Sequence, residues 1–189
     1  MGSLLSGATA RTSQSEPIGQ WKAEHEPTPR RTRRLRLVSA QPGDPCEVCD
    51  GSLDPPGGTI LETAHWVVDH CVGPLPVGTL IVKPGRHCTA VVDLTESEAA
   101  ELGPLLRQVA ALVHQLANPD QVYVCLWSHA GWQRGHIHFV IQPAWNAQGT
   151  RYPHPGPTMQ AAMFEANGEL DRAAAAAFAA RARELASRS

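Results

Sequence analysis

The chain has 189 residues, 42% hydrophobic and 18% charged, with a formal net charge of −2, the profile of one globular domain with flanking segments. No apolar run reaches the roughly 18 residues that span a bilayer, and no leader-like apolar stretch opens the chain, so membrane and secreted classes are set aside. Residues 1–40 hold seven of the 16 Lys/Arg but only three of the 18 Asp/Glu, so the rest of the chain is acidic and is not a nucleic-acid-binding surface.

In chain order, residues 1–40 are polar and aperiodic and are expected to form a mostly disordered basic arm. Its run RRTRRLR (Arg30–Arg36) reads as solvated, with an acidic partner as the alternative. Five cysteines, an odd number, point to a reducing compartment, the cytoplasm, and away from a disulfide framework. Structure is expected from Asp44, with a domain over 44–145 and a loop and helical extension over 146–189. CEVC (Cys46–Cys49) opens the domain and DPPGG makes a turn. Two short strand pieces follow between Thr59 and Asp69, and the β-branched run TLIVK (Thr79–Lys83) predicts a buried strand before the turn PGRH.

Thr95 and Glu98 form a T-x-x-E capping box, which starts a helix. Leu102, Leu105, Leu106, Val109, Leu112, Val113 and Leu116 recur at spacings of three and four, one stripe for a sheet. Pro104 should kink this helix, and Asn118-Pro119-Asp120 ends it. QVYVCLW (Gln121–Trp127) is a further strand, followed by GWQRGHIHFVIQP (Gly131–Pro143). The alternation in that stretch predicts a strand carrying His136 and His138 on one face and ending at Pro143. Two helical segments broken at Asn167 and Gly168 close the chain. The Ala-rich run Ala173–Ala186 has high propensity but little to pack beyond Leu170, Phe178 and Leu185. The whole reads as α+β, an antiparallel sheet with a helix on one face.

Two constellations carry chemistry. Cys46 and Cys49, as C-x-x-C, offer two thiolates from one turn, and His87 and His136 complete a four-ligand set for zinc. Spacing alone does not bring the histidines to the cysteines, and C-x-x-C also occurs as a redox pair. A site closed by four protein ligands is structural. The second constellation is His138, a neutral imidazole available as nucleophile or base. The turn before it, with Gly131, Trp132, Gln133 and Arg134, suits an anion such as phosphate.

From Cys46 to Pro143 the sequence resembles the histidine-triad (HIT) superfamily of nucleotide hydrolases and transferases, zinc-containing type. CEVC, ILETAHWVVD, GTLIVKPGRH, DLTESEAAEL and GWQRGHIHFVIQP stand in the family's order. The resemblance implies a HIT-like antiparallel sheet of about five strands with a long helix packed on it, and a homodimer. It implies a nucleotide substrate attacked at its α-phosphorus by His138 to give a nucleotidyl-histidine, with Gln133 as a second catalytic residue. It further implies Asp69 on the ribose, Thr79, Gly131, Trp132 and Arg134 at the substrate, and structural zinc on Cys46, Cys49, His87 and His136. The departures are Val140 at the third motif histidine, Thr79 where a histidine is usual, and a Gln-Ser/Thr pair shifted into Trp132-Gln133. A uridylyl-type transferase and a non-catalytic nucleotide-binding or interaction protein are the competing functions, with Trp66 or Trp132 as possible base-stacking rings.

Overall fold

Period-2 alternation of β-branched and aromatic residues builds five short strands, because each such strand buries one row of side chains and pairs through its backbone. They are β1 (Leu61–Glu62), β2 (Trp66–His70), β3 (Leu80–Pro84), β4 (Gln121–Trp127) and β5 (His138–Ala144), joined in one antiparallel sheet in the order β1-β2-β3-β5-β4. The structure, a computed structural model, describes residues 46–128, 135–152, 154–166 and 168–188. The expected basic arm, residues 1–40, and Gly131, Trp132, Gln133 and Arg134 lie outside the described residues.

The capping box operates as read. Glu98 N–H donates to Thr95 Oγ1 at 3.3 Å and Thr95 N–H donates to Glu98 Oε2 at 2.7 Å. Helix α1 (Glu96–Ala117) then runs continuously through Pro104 and stops at Asn118, which takes the left-handed conformation at φ 46°; asparagine tolerates that conformation better than most residues. The stripe of α1 lies on one sheet face, where Leu105, Val109 and Val113 meet Trp66, Val68, Leu80, Val82 and Ile141, all at most 3% exposed. Each such side chain contributes about 1.5–3 kcal/mol by leaving water. Trp66 is therefore core, and its indole N–H donates to Glu98 O at 3.1 Å.

Two expectations are corrected. Strand β5 begins at His138 rather than before His136, because Ile137 N–H is drawn to Cys88 O at 2.9 Å. The strand also continues through Pro143 to Ala144. Proline is tolerated because pairing with β3 has already stopped at Ile141 and only β4 remains alongside. The Ala-rich helix α3 (Arg172–Ala186) packs better than its composition suggests. Ala175, Phe178, Ala179 and Ala182 are buried, and α3 lies against α1 and β2. Alanine is the contact surface here, since it allows close backbone approach: a Cβ built on Gly57 stands 2.9 Å from Ala179 Cβ and 3.0 Å from Ala176 O.

Helix α2 (Pro157–Ala166) covers the opposite sheet face. Met159 and Met163 close over Cys71, Leu75, Val140, Ala144 and Tyr152, with Ile81, Tyr123 and Trp127 at the margin. Gln142 Nε2 donates to Met163 Sδ at 3.0 Å, and Trp127 Nε1 donates to Gln160 Oε1 at 3.4 Å.

Candidate functional site

The turn after β3 is held by one carboxylate. Arg86 Nε donates to Glu98 Oε1 at 2.7 Å and Arg86 Nη2 to Glu98 Oε2 at 2.8 Å, with a further bond from Nη2 to Asp93 O. A bidentate pair of this kind fixes direction as well as distance. The guanidinium holds Glu98 down to about 2, and Glu98 at the same time caps α1. The turn bearing His87 is thus tied to the start of the long helix.

His87 is brought beside His136, Cys46 and Cys49, so that one ligand atom from each of the four lies within 4.8 Å of the others. Cys49 Sγ is 3.3 Å from His87 Nδ1 and 3.5 Å from His136 Nδ1, and Cys46 Sγ is 3.8 Å from His136 Nδ1. Tetrahedral zinc bound to sulfur at about 2.3 Å and nitrogen at about 2.0 Å has S···N edges of roughly 3.5 Å, which these separations match. His136 Nε2 donates to Pro84 O at 2.9 Å. That bond sets the tautomer and leaves Nδ1 as the ligand atom. Burial pushes His136 down to about 4, so the ring is neutral, as metal binding requires. Partial desolvation, and then the neighbouring Cys46 thiol, push Cys49 up to about 11. Two thiols this close give up their protons readily only to a cation. The donor set and its spacing are compatible with zinc.

His138 sits at the start of β5, half-buried. Its Nδ1–H donates to His136 O at 3.1 Å, so the carbonyl of the residue whose ring joins the cluster also sets the tautomer of the next imidazole. Nε2 is then the nitrogen that carries the lone pair. Trp127, opposite on β4, lies 6.2 Å from the His138 ring at a tilt of 47°.

Asp69 is 3% exposed on β2. Its Oδ2 meets Lys83 Nζ at 2.5 Å, while Oδ1 is buried with no hydrogen-bond partner among the described residues. An acceptor left that way costs about 1–3 kcal/mol. Thr79 is fully buried, its hydroxyl donating to Pro76 O at 2.6 Å, which leaves only its oxygen lone pairs to offer. Val140 is 1% exposed within the apolar cluster under α2. His70, also buried, is a satisfied core histidine: Nδ1 donates to Cys71 O and Nε2 accepts from Gly78 N–H, each at 2.9 Å.

Two features of this face escaped the sequence reading. One is the packing of the expected helix α2 on the sheet, where its cover rests on Met159 and Met163 at a spacing of four and on buried glutamines. The other is Lys83. The chain has 16 basic residues, and only Lys22 and Lys83 are lysines. A lysine alternating onto the face of His138, in a chain whose other basic residues are arginine at all but one position, is a readable signal.

No protein-family model and no curated protein sequence matches the chain. Among solved structures, it is similar to a hypothetical histidine triad nucleotide-binding protein of Sulfolobus tokodaii, at 18% identity and TM-score 0.54 over 76% of this chain and 91% of that one. A zinc-bound histidine triad family protein of Mycobacterium smegmatis matches at 17% identity and TM-score 0.55 over 76% and 95%. A Hit-like protein of Bartonella henselae, described as involved in cell-cycle regulation, matches at 14% and 0.52 over 73% and 92%. At these identities the likeness establishes the α+β histidine-triad fold.

Proposed function

We propose, from the premise of the histidine-triad fold, that the chain is a nucleotide hydrolase acting at the α-phosphorus of a nucleoside-monophosphoryl anhydride or ester. The carrying observation is the bond from His138 Nδ1–H to His136 O, which aims Nε2 from a backbone position anchored beside the cysteine–histidine cluster. Cys46, Cys49, His87 and His136 hold a structural zinc in this reading. With four protein ligands it supplies rigidity and keeps no position for water.

His138 Nε2 forms the N–P bond as the P–O bond to the leaving group breaks, and the leaving oxygen keeps the electron pair. The imidazole becomes positive in this step, and the His136 carbonyl oxygen facing Nδ1–H stabilises that charge. Water then forms a new P–O bond. The P–N bond returns its electrons to Nε2, and the proton of the attacking water goes to solvent. Asp69 Oδ1, an acceptor without a partner among the described residues, takes a ribose hydroxyl. Gly131, Trp132, Gln133 and Arg134 contribute donors to the phosphoryl oxygens, and Thr79 supports the substrate side of β3. Val140 has no proton to give, so the preferred leaving group is one that departs unprotonated, a phosphate or phosphonate anhydride rather than an amine. A second copy of the chain as homodimer partner, and work in the cytoplasm, complete the proposal. Among the described residues no helix is long and apolar enough to cross a membrane.

Incubation with a panel of dinucleoside polyphosphates tests it. The wild type is expected to release a nucleoside monophosphate, and His138→Ala to lose at least about 10³-fold in kcat. Nucleotide affinity with no turnover would make the chain a binding protein. Transfer of the nucleotidyl group to a sugar phosphate in preference to water would make it a transferase.

A further inference from the structure

The register of β3 on β5 pairs Ile81 with Val140 and Val82 with Phe139. Continued one step past the last paired residues, that register sets Lys83 level with His138. Alternation puts it on the same face as Ile81, away from the core side occupied by Val82. Directly opposed residues of neighbouring strands have Cβ atoms about 4.5–5.5 Å apart, within the reach of a four-carbon side chain. Among the described residues, the five strands carry no other lysine and no arginine.

The Lys83 side chain is 14% exposed and Asp69 only 4%, so this is an ion pair largely withdrawn from water. Such a pair is seldom retained for stability, because desolvation offsets most of its attraction. An apolar pair would pack as well on a face already lined by Ile81, Val140, Met159 and Met163. The ammonium offers three donors, and Asp69 Oδ2 takes one.

We propose that Lys83 is a phosphoryl-binding cation of the site, steered by Asp69 so that its remaining donors face the non-bridging oxygens of a phosphoryl group at His138. This rests on the reading of His138 as the phosphorus-directed group. Val140 brings no polar atom to the face, and the neighbouring strand supplies the charge instead. A compact ammonium suits this place better than a guanidinium, which needs a planar, forked partner. The site thereby selects anionic, phosphate-bearing ligands over the bare nucleoside.

The test compares binding of the four common nucleosides and their 5′-monophosphates, by calorimetry, to the full-length protein, Lys83→Met and the double variant Asp69→Asn/Lys83→Met. The double variant removes the carboxylate that Lys83→Met alone strands in a buried position, so it guards against simple misfolding. Zinc content and thermal midpoint are recorded for each. For the base that binds, the ratio of monophosphate to nucleoside affinity is expected to fall about 10–100-fold in both variants, as for loss of charged hydrogen bonds. An unchanged ratio in the folded variants overturns the assignment of Lys83 and leaves the nucleotide reading standing. If the wild type binds no nucleotide at all, both are overturned.

Discussion

Replacing Glu98 with glutamine isolates the tie between the His87 turn and the long helix. Gln keeps the size and can still close the capping box on Thr95, so the ion pair with Arg86 is what is lost. The Glu98 side chain is 5% exposed and that of Arg86 46%, a geometry between a buried and a surface pair. The Glu98 carboxyl lies at about 2 against its ordinary 4.5, a difference worth about 3 kcal/mol before solvent screening at the Arg86 side. With that screening, Glu98→Gln is expected to cost about 1.5–3 kcal/mol at pH 7, the range for charged hydrogen bonds. Because the folded-state value is depressed, the contribution is complete above about pH 4.5 and is lost as pH falls towards 2, dropping below half near pH 3. Urea unfolding of wild type and variant at pH 7, 5 and 3 reads this directly. The gap between the two curves should be constant from pH 7 to 5 and then close. A gap that persists unchanged to pH 3, or one under about 0.5 kcal/mol at pH 7, would refute the view that Glu98 anchors the turn as a carboxylate.

Chelation of the metal, or Cys49→Ser, should lower the thermal midpoint and release about one zinc per chain, measured by metal analysis alongside calorimetry. Val140→His places an imidazole in a cluster where the native residue is 1% exposed; it should destabilise by about 2–4 kcal/mol through overpacking and an unpartnered polar atom. Denaturant unfolding checks this, and a neutral result would mean that α2 lifts easily from the sheet. Gly57→Ala is expected to cost about 1–3 kcal/mol, since Gly57 lies at φ 78° and an added Cβ meets Ala179. A thermal shift assay reads it.

Much of the scaffold was legible because its determinants are local. The Thr95/Glu98 cap, the stripe of α1, the stop at Asn118 and the β-branched strands each depend on residues a few positions apart. The four-residue cluster was legible only as a set of compatible ligand types, since 87 positions separate Cys49 from His136 and no periodicity spans such a gap. In the helical extension, the helix propensity of alanine masks its role as a contact surface. Ala175, Ala179 and Ala182 pack because they are small, which a count of large apolar residues misses. Helix α2 announces its buried side faintly, with Gln160 fully buried between Met159 and Met163. The signal of Lys83 lies in its rarity in an arginine-rich chain and its parity with Ile81, both present in the sequence.

The most direct measurement is intact-protein and peptide mass analysis after rapid quenching of the protein with a dinucleoside polyphosphate under neutral-to-basic conditions, which preserve a phosphorus–nitrogen bond. The expected result is one nucleoside monophosphate added to the peptide that contains His138, absent in His138→Ala. An adduct on a different residue, or turnover with no adduct and no dependence on His138, would contradict it.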